Sequence, residues 1–363
     1  MDQEGRSTAF AMAMGVAGAV LLVAALAVFS SSTGYSYDLA AYLSAAARVA
    51  AGGTPYQPQT LSGPFNPGPA GLYLYPPPLA VLLAAVSGLA PSAVEAGWWL
   101  LRVGLLIAGC AALPVPRWVR GGVLLVLAVS YPTLIDLNLG NVSLLVLVTS
   151  CLAWRWLDRP ASGRLTALAL ALRPTLVVLP IWWLIRRRWQ PLAWTIGAGL
   201  ALVVLTLPFV GLGGYVDYLT VVRNLSHVTG VTHNVDLASA ALLLGWGPDI
   251  VQPALIVQYA LGLGACALAL RQDREAGFVM VTVASLLLAP LIWVHYLVVL
   301  ALPAALLAAR GYRVAILLPL LGWLPEPALP LVAIAGAYLP LLAARRPSSQ
   351  RRSGAIRMTV VER

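Results

Sequence analysis

The scarcity of charge is the feature that most constrains this chain. Only 10% of its 363 residues are charged, whereas 60% are hydrophobic. A soluble domain has about a quarter of its residues charged, so most of this chain must contact lipid or other buried helices. Repeated apolar runs of about 17–25 residues fit helices that cross a ~30 Å hydrocarbon core. The alternation of a membrane β-barrel is absent from the sequence, which therefore predicts an all-α, polytopic transmembrane protein.

The apolar runs predict about 10–13 membrane segments. The first run follows MDQEGR, is too long for a signal-peptide core and lacks a clear cleavage site, so we expect a retained helix. A single membrane domain over 1–344 should include a first external loop at 31–77 with an amphipathic helix. The basic tail 345–363 should be cytoplasmic and poorly ordered. The predicted spans are 9–30, 73–90, 92–113, 119–135, 140–157, 163–185, 190–210, 237–270 in two pieces, 275–291, 293–309, 312–325 and 327–344.

Arginine placement predicts the orientation of these spans. All 23 basic residues are arginines, and they cluster between spans and in the tail. The positive-inside rule accounts for such clusters, so the net charge of +10 indicates no nucleic-acid partner. When the clusters are placed inside, four segments fall outside: the Tyr35–Tyr75 stretch, the Asp136–Asn141 turn, the Gly211–Asp236 loop and the Pro290–His295 corner.

Two regions do not fit a simple alternation of spans. Arginines flank 163–185 at both ends, which requires an even number of crossings. Arg173-Pro174 in its middle predicts two half-helices, because proline interrupts a helix. The three spans between the first external loop and the Asp136–Asn141 turn are one too many. Either one of them is re-entrant or the Arg117/Arg120 loop lies outside, and the sequence leaves both alternatives open.

Polar side chains concentrate on the predicted outer side. Seven of the thirteen carboxylates are expected at cytoplasmic ends, although the position of Glu95 depends on the span count that the sequence leaves open. This asymmetry predicts a site at the outer membrane interface. The carboxylates expected outside or near mid-membrane are Asp38, Asp136, Asp217, Asp236, Asp249 and Glu326, and all three histidines, His227, His233 and His295, also fall there.

Asp38 is the principal candidate among these acids. It precedes a stretch of good helix formers that ends in Gly-Gly, so it could simply cap that helix by accepting backbone N–H bonds. It could also be a general base, placed where a lipid-borne substrate would present its head group. Tyrosines nearby, Tyr42 and Tyr56 among them, suit interfacial anchoring or stacking on a sugar ring. The two roles are compatible.

Other candidates also have a structural alternative. Arg173 lies within an apolar segment, where an arginine is costly and indicates function by default; it could bind a phosphate or the carbonyls freed by Pro174. Tyr75 could line a cavity or only begin a stiff YPPP turn. Asp236 could be a helix cap, the Asp136–Asn141 turn could cap the next span, and His295 could be structural or face a cavity.

Several cofactor signatures are absent from the sequence. There is no Walker A motif, no GxGxxG at a strand–helix junction, no HExxH and no GxSxG. The three cysteines show no CxxC spacing and are expected to be buried apolar residues. We therefore expect no cofactor and no metal; the one near-DxD, Asp136-Leu-Asn138, supports a metal–nucleotide sugar site only weakly.

The order of these features resembles glycosyltransferase family 87, integral-membrane, polyprenyl-phosphate-mannose-dependent α-1,2-mannosyltransferases of the GT-C fold. The resemblance covers most of the chain. It rests on D-x3-Y at Asp38/Tyr42, GGTPY at 52–56, YPPPLA at 75–80, LGNVSLLVL at 139–147, ALALRPTLVVLPIWWLIRRRW at 169–189, HNVDLASA at 233–240 and LAPLIWVHYLVVLALPA at 288–304.

The resemblance implies an enzyme that takes a sugar from a polyprenyl phosphate on the outer face of the cytoplasmic membrane. It implies that Asp38, the acid of the first external loop, is the catalytic base. Arg173 and His295 would then bind the donor phosphate. The further substrate-binding candidates are Tyr42, Tyr56, Tyr75, Asn141, His233, Asn234 and Asp236.

The predicted function is therefore inverting transfer of a hexose, mannose above all, from a polyprenyl-phosphate donor to a lipid-linked or cell-envelope glycan acceptor. The expected partners are that donor, that acceptor and membrane lipids. Two alternatives remain open from the residues alone: a transporter or flippase of a lipid-linked sugar, and a non-catalytic subunit of an envelope complex.

Overall fold

The computed structural model describes residues 3–29, 32, 34–62, 71–225 and 234–344, and every regular element in these ranges is helical. The predicted tail 345–363 lies outside them. The α-helices are α1 (Gln3–Phe29), α2 (Tyr37–Ala50), α3 (Pro58–Leu61), α4 (Pro77–Ala84), α5 (Pro91–Ala112), α6 (Arg117–Ala128), α7 (Tyr131–Leu139), α8 (Ser143–Arg155), α9 (Pro160–Leu172), α10 (Val178–Ile185), α11 (Trp189–Leu225), α12 (Leu237–Leu243), α13 (Val251–Ala269), α14 (Arg274–Leu287), α15 (Ala301–Ala309), α16 (Leu329–Tyr338) and α17 (Leu341–Ala344). The 3₁₀ helices are Pro174–Val177, Pro248–Ile250, Val294–Leu300, Arg313–Trp323 and Glu326–Ala328.

The helices confirm the all-α, polytopic fold class. Within the described ranges, five helices are long and apolar enough to cross a membrane, and the bent pair α6 and α7 brings the number to six. Four shorter apolar helices accompany them, and the predicted total of 10–13 segments stays a prediction. The full-length candidates are Thr8–Phe29, Pro91–Ala112, Trp189–Leu225, Pro248–Ala269 and Glu326–Ala343.

The arginine-rich loops meet at one end of the helix bundle. Asp158 contacts Arg188 at 3.3 Å and Arg274 at 2.7 Å, and Asp273 contacts Arg310 at 2.6 Å. The loop after α5 lies at the same end, since Arg155 at the end of α8 donates to its Ala112 carbonyl. These contacts place the arginine clusters that they join at one end of the bundle, as the positive-inside pattern predicted; the cluster from Arg345 onward lies outside the described residues.

The short helix α4 decides the span count that the sequence left open. Its eight residues extend about 12 Å, too short for a ~30 Å hydrocarbon core. Because α5 ends beside Arg155, it begins at the opposite end of the bundle, and α4 returns to the end from which it started. The predicted span 73–90 is therefore a re-entrant or interfacial segment. Glu95, near the start of α5, therefore lies away from the arginine-rich end, which decides the location that the span count had left open.

Two further segments differ from the predicted spans. The span predicted at 119–135 bends by 61° between α6 and α7. The loop predicted at Gly211–Asp236 is helical as far as Leu225, because α11 continues past a break at Gly211, where φ is 61°. A positive φ favours glycine, which lacks a Cβ. The second part of α11 returns toward the loop predicted to be external, and Asn224 donates to the Thr60 carbonyl of that loop.

The break predicted in the middle of 163–185 is confirmed. Helix α9 ends at Leu172, Arg173 is extended with φ −160° and ψ 124°, and a 3₁₀ turn at Pro174–Val177 leads into α10. Proline removes a backbone donor and disfavours α geometry in the residue before it. Arg173 therefore occupies the gap between two half-helices.

Helix α8 connects the two hydrophobic cores of the bundle. Leu144 and Leu147 belong to the larger core around α14. Leu145 and Val146 belong to a smaller core that includes α2 and α4. The residues that precede α8 consequently lie where helix α2 packs against the rest of the helix bundle.

Gly163 provides a test of this packing. A Cβ on Gly163 of α9 would clash with the Pro191 carbonyl oxygen of α11 and lie 2.8 Å from the Trp194 Cβ. We expect Gly163→Ala to destabilise the protein by about 1–3 kcal/mol, the usual cost of overpacking, seen as a lower thermal unfolding midpoint in detergent. Gly197→Ala is the matched control, because no atom lies within 4 Å of its Cβ; it should stay within about 1 kcal/mol of the native protein. Equal midpoints for the two variants would contradict the α9–α11 packing.

Candidate active site

Asp38 lies in the first turn of α2 but does not cap it. The N-cap residue is Ser36, which has a left-handed conformation with φ 58° and whose N–H donates to the Asn138 carbonyl at 2.7 Å. Asp38 is the second helical residue, so the predicted cap role is wrong. Its half-buried carboxylate instead accepts a hydrogen bond through Oδ2 from the Asn141 Nδ2, at 2.7 Å. The acid is thus held by a side chain from another element.

Asn141 connects most of the polar side chains of the site. Its Nδ2 donates to Asp38 and to the Tyr75 hydroxyl, the latter at 2.8 Å. Its Oδ1 accepts from Arg173 Nη2 at 2.7 Å and from the Ser143 hydroxyl at 2.9 Å. Asn141 is 1% exposed, so one buried amide bridges the acid and the arginine of the predicted site.

Arg173 is a buried cation with neutral partners. Its Nη2 donates to Asn141 and to the Ser143 hydroxyl, and its guanidinium carbon lies 3.5 Å from the ring centroid of Tyr296. In the described part of the chain no carboxylate forms an ion pair with Arg173, and its buried Nε has no hydrogen-bond partner. Such a cation retains its capacity to bind an anion.

A buried ion pair that was not predicted from the sequence fixes the turn before α8. Arg102 of α5 lies 3.2 Å from the Asp136 carboxylate, and both side chains are almost inaccessible to solvent. Arg102 also donates to the main-chain carbonyls of Asp136, Leu137 and Asn141. A signal was present, since Arg102 lies inside an apolar span and meets the same criterion that selected Arg173.

The three tyrosine candidates differ in position. Tyr75 lies beside both Asn141 and Arg173. The ring of Tyr42 packs edge-on against Tyr75 at 4.9 Å, and the Tyr56 hydroxyl donates to the Tyr75 carbonyl at 2.8 Å. Tyr42 and Tyr56 are at most 1% exposed. Their contact with substrate remains a prediction, and their burial favours support of Tyr75.

The Asn234–Asp236 segment packs against the corner that carries His295. The Asn234 Oδ1 accepts from the Ile292 N–H at 2.9 Å, and its Nδ2 donates to Asp236. Asp236 caps α12 by accepting from the Ser239 N–H. This is the helix-cap role that the sequence allowed for it beside substrate binding. Both residues are 3% exposed, so they are placed to support the corner. His233, the remaining candidate of this segment, lies outside the described residues.

His295 is buried at the start of the 3₁₀ helix Val294–Leu300. It is 5% exposed, and its ring centroid lies 5.0 Å from that of Tyr296. Within the described ranges its Nε2 has no hydrogen-bond partner. A buried, unpartnered ring nitrogen next to the residue that stacks on Arg173 is available for a polar group of a ligand.

A cavity of about 260 Å³ opens beside Arg173. Its polar lining comes from Arg173, the tyrosines Tyr75, Tyr218 and Tyr296, and Trp293. The rest is mainly apolar: Leu74, Pro174, Thr175, Val177, Val178, Val222, Leu225, Leu288, Ala289, Pro290 and Leu291. A larger groove of about 640 Å³ shares none of these residues and holds no acid or histidine. The smaller cavity is therefore the one associated with the polar cluster.

The charge state of Asp38 follows from its surroundings. Burial raises the pKa of Asp38 to about 6, while the hydrogen bond from Asn141 and the charges of Arg173 and Arg102 act in the opposite direction. At neutral pH the carboxylate is mostly ionised and can accept a proton.

The described residues contain no group of three His, Cys, Asp or Glu side chains arranged to hold a metal ion.

Comparison with known proteins identifies the family. The model of glycosyltransferase family 87 matches residues 73–294, more than half of the chain. The match includes Tyr75, Asn141 and Arg173, begins after Asp38 and ends just before His295. No curated protein and no solved structure gives a significant match. The chain is therefore a glycosyltransferase that belongs to glycosyltransferase family 87.

Proposed function

We propose that the protein is an inverting glycosyltransferase that moves a hexose from a polyprenyl-phosphate donor to a hydroxyl of a lipid-linked or cell-envelope glycan. The observation that carries this proposal is the bridge through Asn141, which places a carboxylate next to an arginine that has no acidic partner among the described residues. A base for the acceptor and a cation for the leaving phosphate are the two groups that this reaction requires.

Arg173 supports a phosphate-bearing donor. Its planar guanidinium presents donors in a fork that matches phosphate oxygens, and stacking on Tyr296 leaves the edge of the fork available. The cost of burying a cation is large, and a phosphate would offset part of it. The ring of His295 packs against Tyr296, and its Nε2, which has no partner among the described residues, could supply a further hydrogen bond to the donor phosphate.

The walls of the cavity support a lipid-linked donor. Valines and leucines of the α9–α10 break, of α11 and of the segment after α14 line it beside Arg173. A polyprenyl chain buries apolar surface against such walls, at about 25 cal/mol per Å². The phosphate then lies at Arg173 and the sugar extends toward Asp38.

The chemistry requires one proton transfer and one displacement. Asp38 takes the proton of the acceptor hydroxyl as that oxygen forms a bond to the anomeric carbon. The bond from this carbon to the phosphate oxygen breaks on the opposite face, which inverts the configuration. The polyprenyl phosphate leaves with its negative charge stabilised by Arg173. General base catalysis of this kind contributes about 10²–10⁴-fold.

Family resemblance suggests mannose as the sugar and the outer face of the cytoplasmic membrane as the location. Arginine-rich loops at the opposite end of the bundle fit the cytoplasmic side, which leaves Asp38 and Arg173 facing outward. The donor and acceptor would both be anchored at that surface, and their proximity lowers the barrier further.

A transfer assay tests this function. Purified protein in nanodiscs is incubated with labelled polyprenyl-phospho-mannose and a membrane glycolipid extract, with the corresponding glucose and arabinose donors in parallel. We expect label in the glycolipid fraction for at least one donor, most strongly for mannose. Movement of intact donor across a proteoliposome membrane without transfer would support a flippase instead. Neither transfer nor movement, together with unchanged envelope glycolipids in a deletion strain, would support a non-catalytic subunit.

A further inference from the structure

The side chain of Asn141 has no hydrogen-bonding capacity left for a substrate. An amide offers two N–H donors and an oxygen with two lone pairs. Both donors are used, toward Asp38 and Tyr75. The oxygen accepts from Arg173 and from the N–H and hydroxyl of Ser143. The predicted role of Asn141 as a substrate contact therefore gives way to a role within the protein.

The chemistry of its neighbours fixes which way the amide points. The Arg173 guanidinium and the Ser143 N–H can only donate, so the amide oxygen must face them. The NH₂ group then has to face Asp38, which must accept and is favoured in its ionised form. None of the described residues donates to the other carboxylate oxygen of Asp38, Oδ1. This oxygen is left to accept a proton.

The backbone of Asn141 is held equally firmly. Arg102 donates to the Asn141 carbonyl at 3.3 Å and pairs with Asp136. Asp136 in turn accepts from the Ser143 N–H at 3.0 Å, and the Trp98 indole donates to the Gly140 carbonyl at 2.8 Å. Hydrogen bonds therefore hold the backbone of this turn before, at and after Asn141.

We propose that Asn141 is a positioning residue that couples the base to the phosphate-binding arginine. It holds Asp38 ionised, with one oxygen directed to the acceptor, and it fixes the distance from that oxygen to Arg173. This inference rests on the proposed function, in which Asp38 takes the proton and Arg173 binds the leaving phosphate. It assigns to Asn141 no contact with either substrate.

The influence of Asn141 on the charge state of Asp38 should be visible in the pH dependence of turnover. A protonated Asp38 cannot take a proton, so activity falls as the pH decreases through its pKa, which is about 6. Loss of the Asn141 donor removes a hydrogen bond to the charged form and raises that pKa. The charged or titratable groups that face Asp38 are Arg102, Asp136, Arg173, Tyr37, Tyr42, Tyr75 and Tyr296.

Two substitutions at Asn141 test the coupling. The acid limb is the part of the pH profile in which kcat falls as the pH decreases. In Asn141→Ala we expect the midpoint of this limb to move upward by about one pH unit, with activity recovering at higher pH. Asn141→Asp keeps the shape and the acceptor for Arg173 but places a second carboxylate against Asp38. Two carboxylates in contact cannot both ionise readily, so its acid limb should move further than that of the alanine variant.

Thr149→Val is the matched control. Thr149 lies on α8 and is also buried and polar, and among the described residues its hydroxyl bonds only to the carbonyls of Leu145 and Val146, within its own helix. In the Thr149→Val variant the midpoint of the acid limb should stay at about pH 6, the pKa of Asp38. If both Asn141 variants lose activity evenly at every pH, with the limb unmoved, Asn141 is merely structural and the proposal is wrong.

The outcome for Asn141 is separable from that of the proposed function. If Asp38→Asn is inactive and the Asn141 variants leave the pH profile unchanged, only the coupling fails. If Asp38→Asn transfers sugar normally, the proposed base fails and the coupling fails with it. Should Asn141→Ala not fold, Asn141→Ser decides instead, because it removes the amide donor without adding a charge: an upward shift of its acid limb supports the proposal and an unmoved limb overturns it.

Discussion

Asp38→Asn should reduce sugar transfer by about 10²–10⁴-fold, the usual contribution of a general base, while the protein remains folded. The substitution keeps the shape of the side chain and an oxygen that can accept from Asn141, but an amide cannot take the proton of the acceptor hydroxyl. Turnover with a labelled donor measures the effect. Thermal unfolding in detergent checks the fold, which should be intact because a partly buried charge is removed.

The same variant should retain its affinity for the donor. Arg173 keeps its bonds to Asn141 and Ser143 when Asp38 becomes neutral, so the KM for the polyprenyl-phosphate sugar should change far less than kcat. A loss confined to kcat is the signature of an interaction made in the transition state. A large rise in KM with kcat preserved would assign Asp38 to substrate binding instead.

Asp217→Asn is the matched control for this experiment. Asp217 is a carboxylate of α11, and it accepts a hydrogen bond from the Thr54 hydroxyl, close to the end of α2, at 2.7 Å. Unlike Asp38, it has no hydrogen bond to Asn141 or Arg173 among the described residues. Its substitution should leave turnover within about threefold of the native enzyme, since a lost hydrogen bond is worth only ~0.5–1.5 kcal/mol. If Asp38→Asn behaves like this control, Asp38 is not the base.

Local sequence signals predicted the helices and the break at Arg173 well. Apolar run length and arginine clusters are properties of short segments, and the effect of Pro174 on its neighbours is covalent. The length of α4 was missed because a run of apolar residues looks the same whether it crosses the membrane or returns. The Gly211 break was missed as well, since the apolar pattern predicted a helix end where α11 continues beyond a kink.

The composition of the site was only partly predictable, because its contacts join residues far apart in the chain. Asp38 and Asn141 are 103 positions apart, and Arg173 is 32 positions from Asn141. No propensity or periodicity indicates that an asparagine will bridge two candidates. Arg102 was predictable in principle, as an arginine in an apolar span, whereas Ser143 and Tyr296 carry no sequence signal of their own.

The second large effect is expected at Arg173. Arg173→Ala should lower kcat/KM for the lipid-phosphate donor by about 10²–10³-fold, the range found when a group that stabilises developing negative charge is removed. Arg173→Lys should recover only part of this loss. A lysine keeps the charge but cannot stack on Tyr296 with a planar group and reach Asn141 and Ser143 at once.

Inhibition by the leaving product shows whether Arg173 binds phosphate or only supports the break between α9 and α10. If it binds phosphate, polyprenyl phosphate should inhibit the native enzyme and Asp38→Asn alike but inhibit Arg173→Ala weakly. Arg164→Ala is the control, because that arginine lies over Trp194 at the arginine-rich end and away from the cavity. If polyprenyl phosphate still inhibits Arg173→Ala at native concentrations, Arg173 only supports the α9–α10 break, and the leaving phosphate must be stabilised elsewhere.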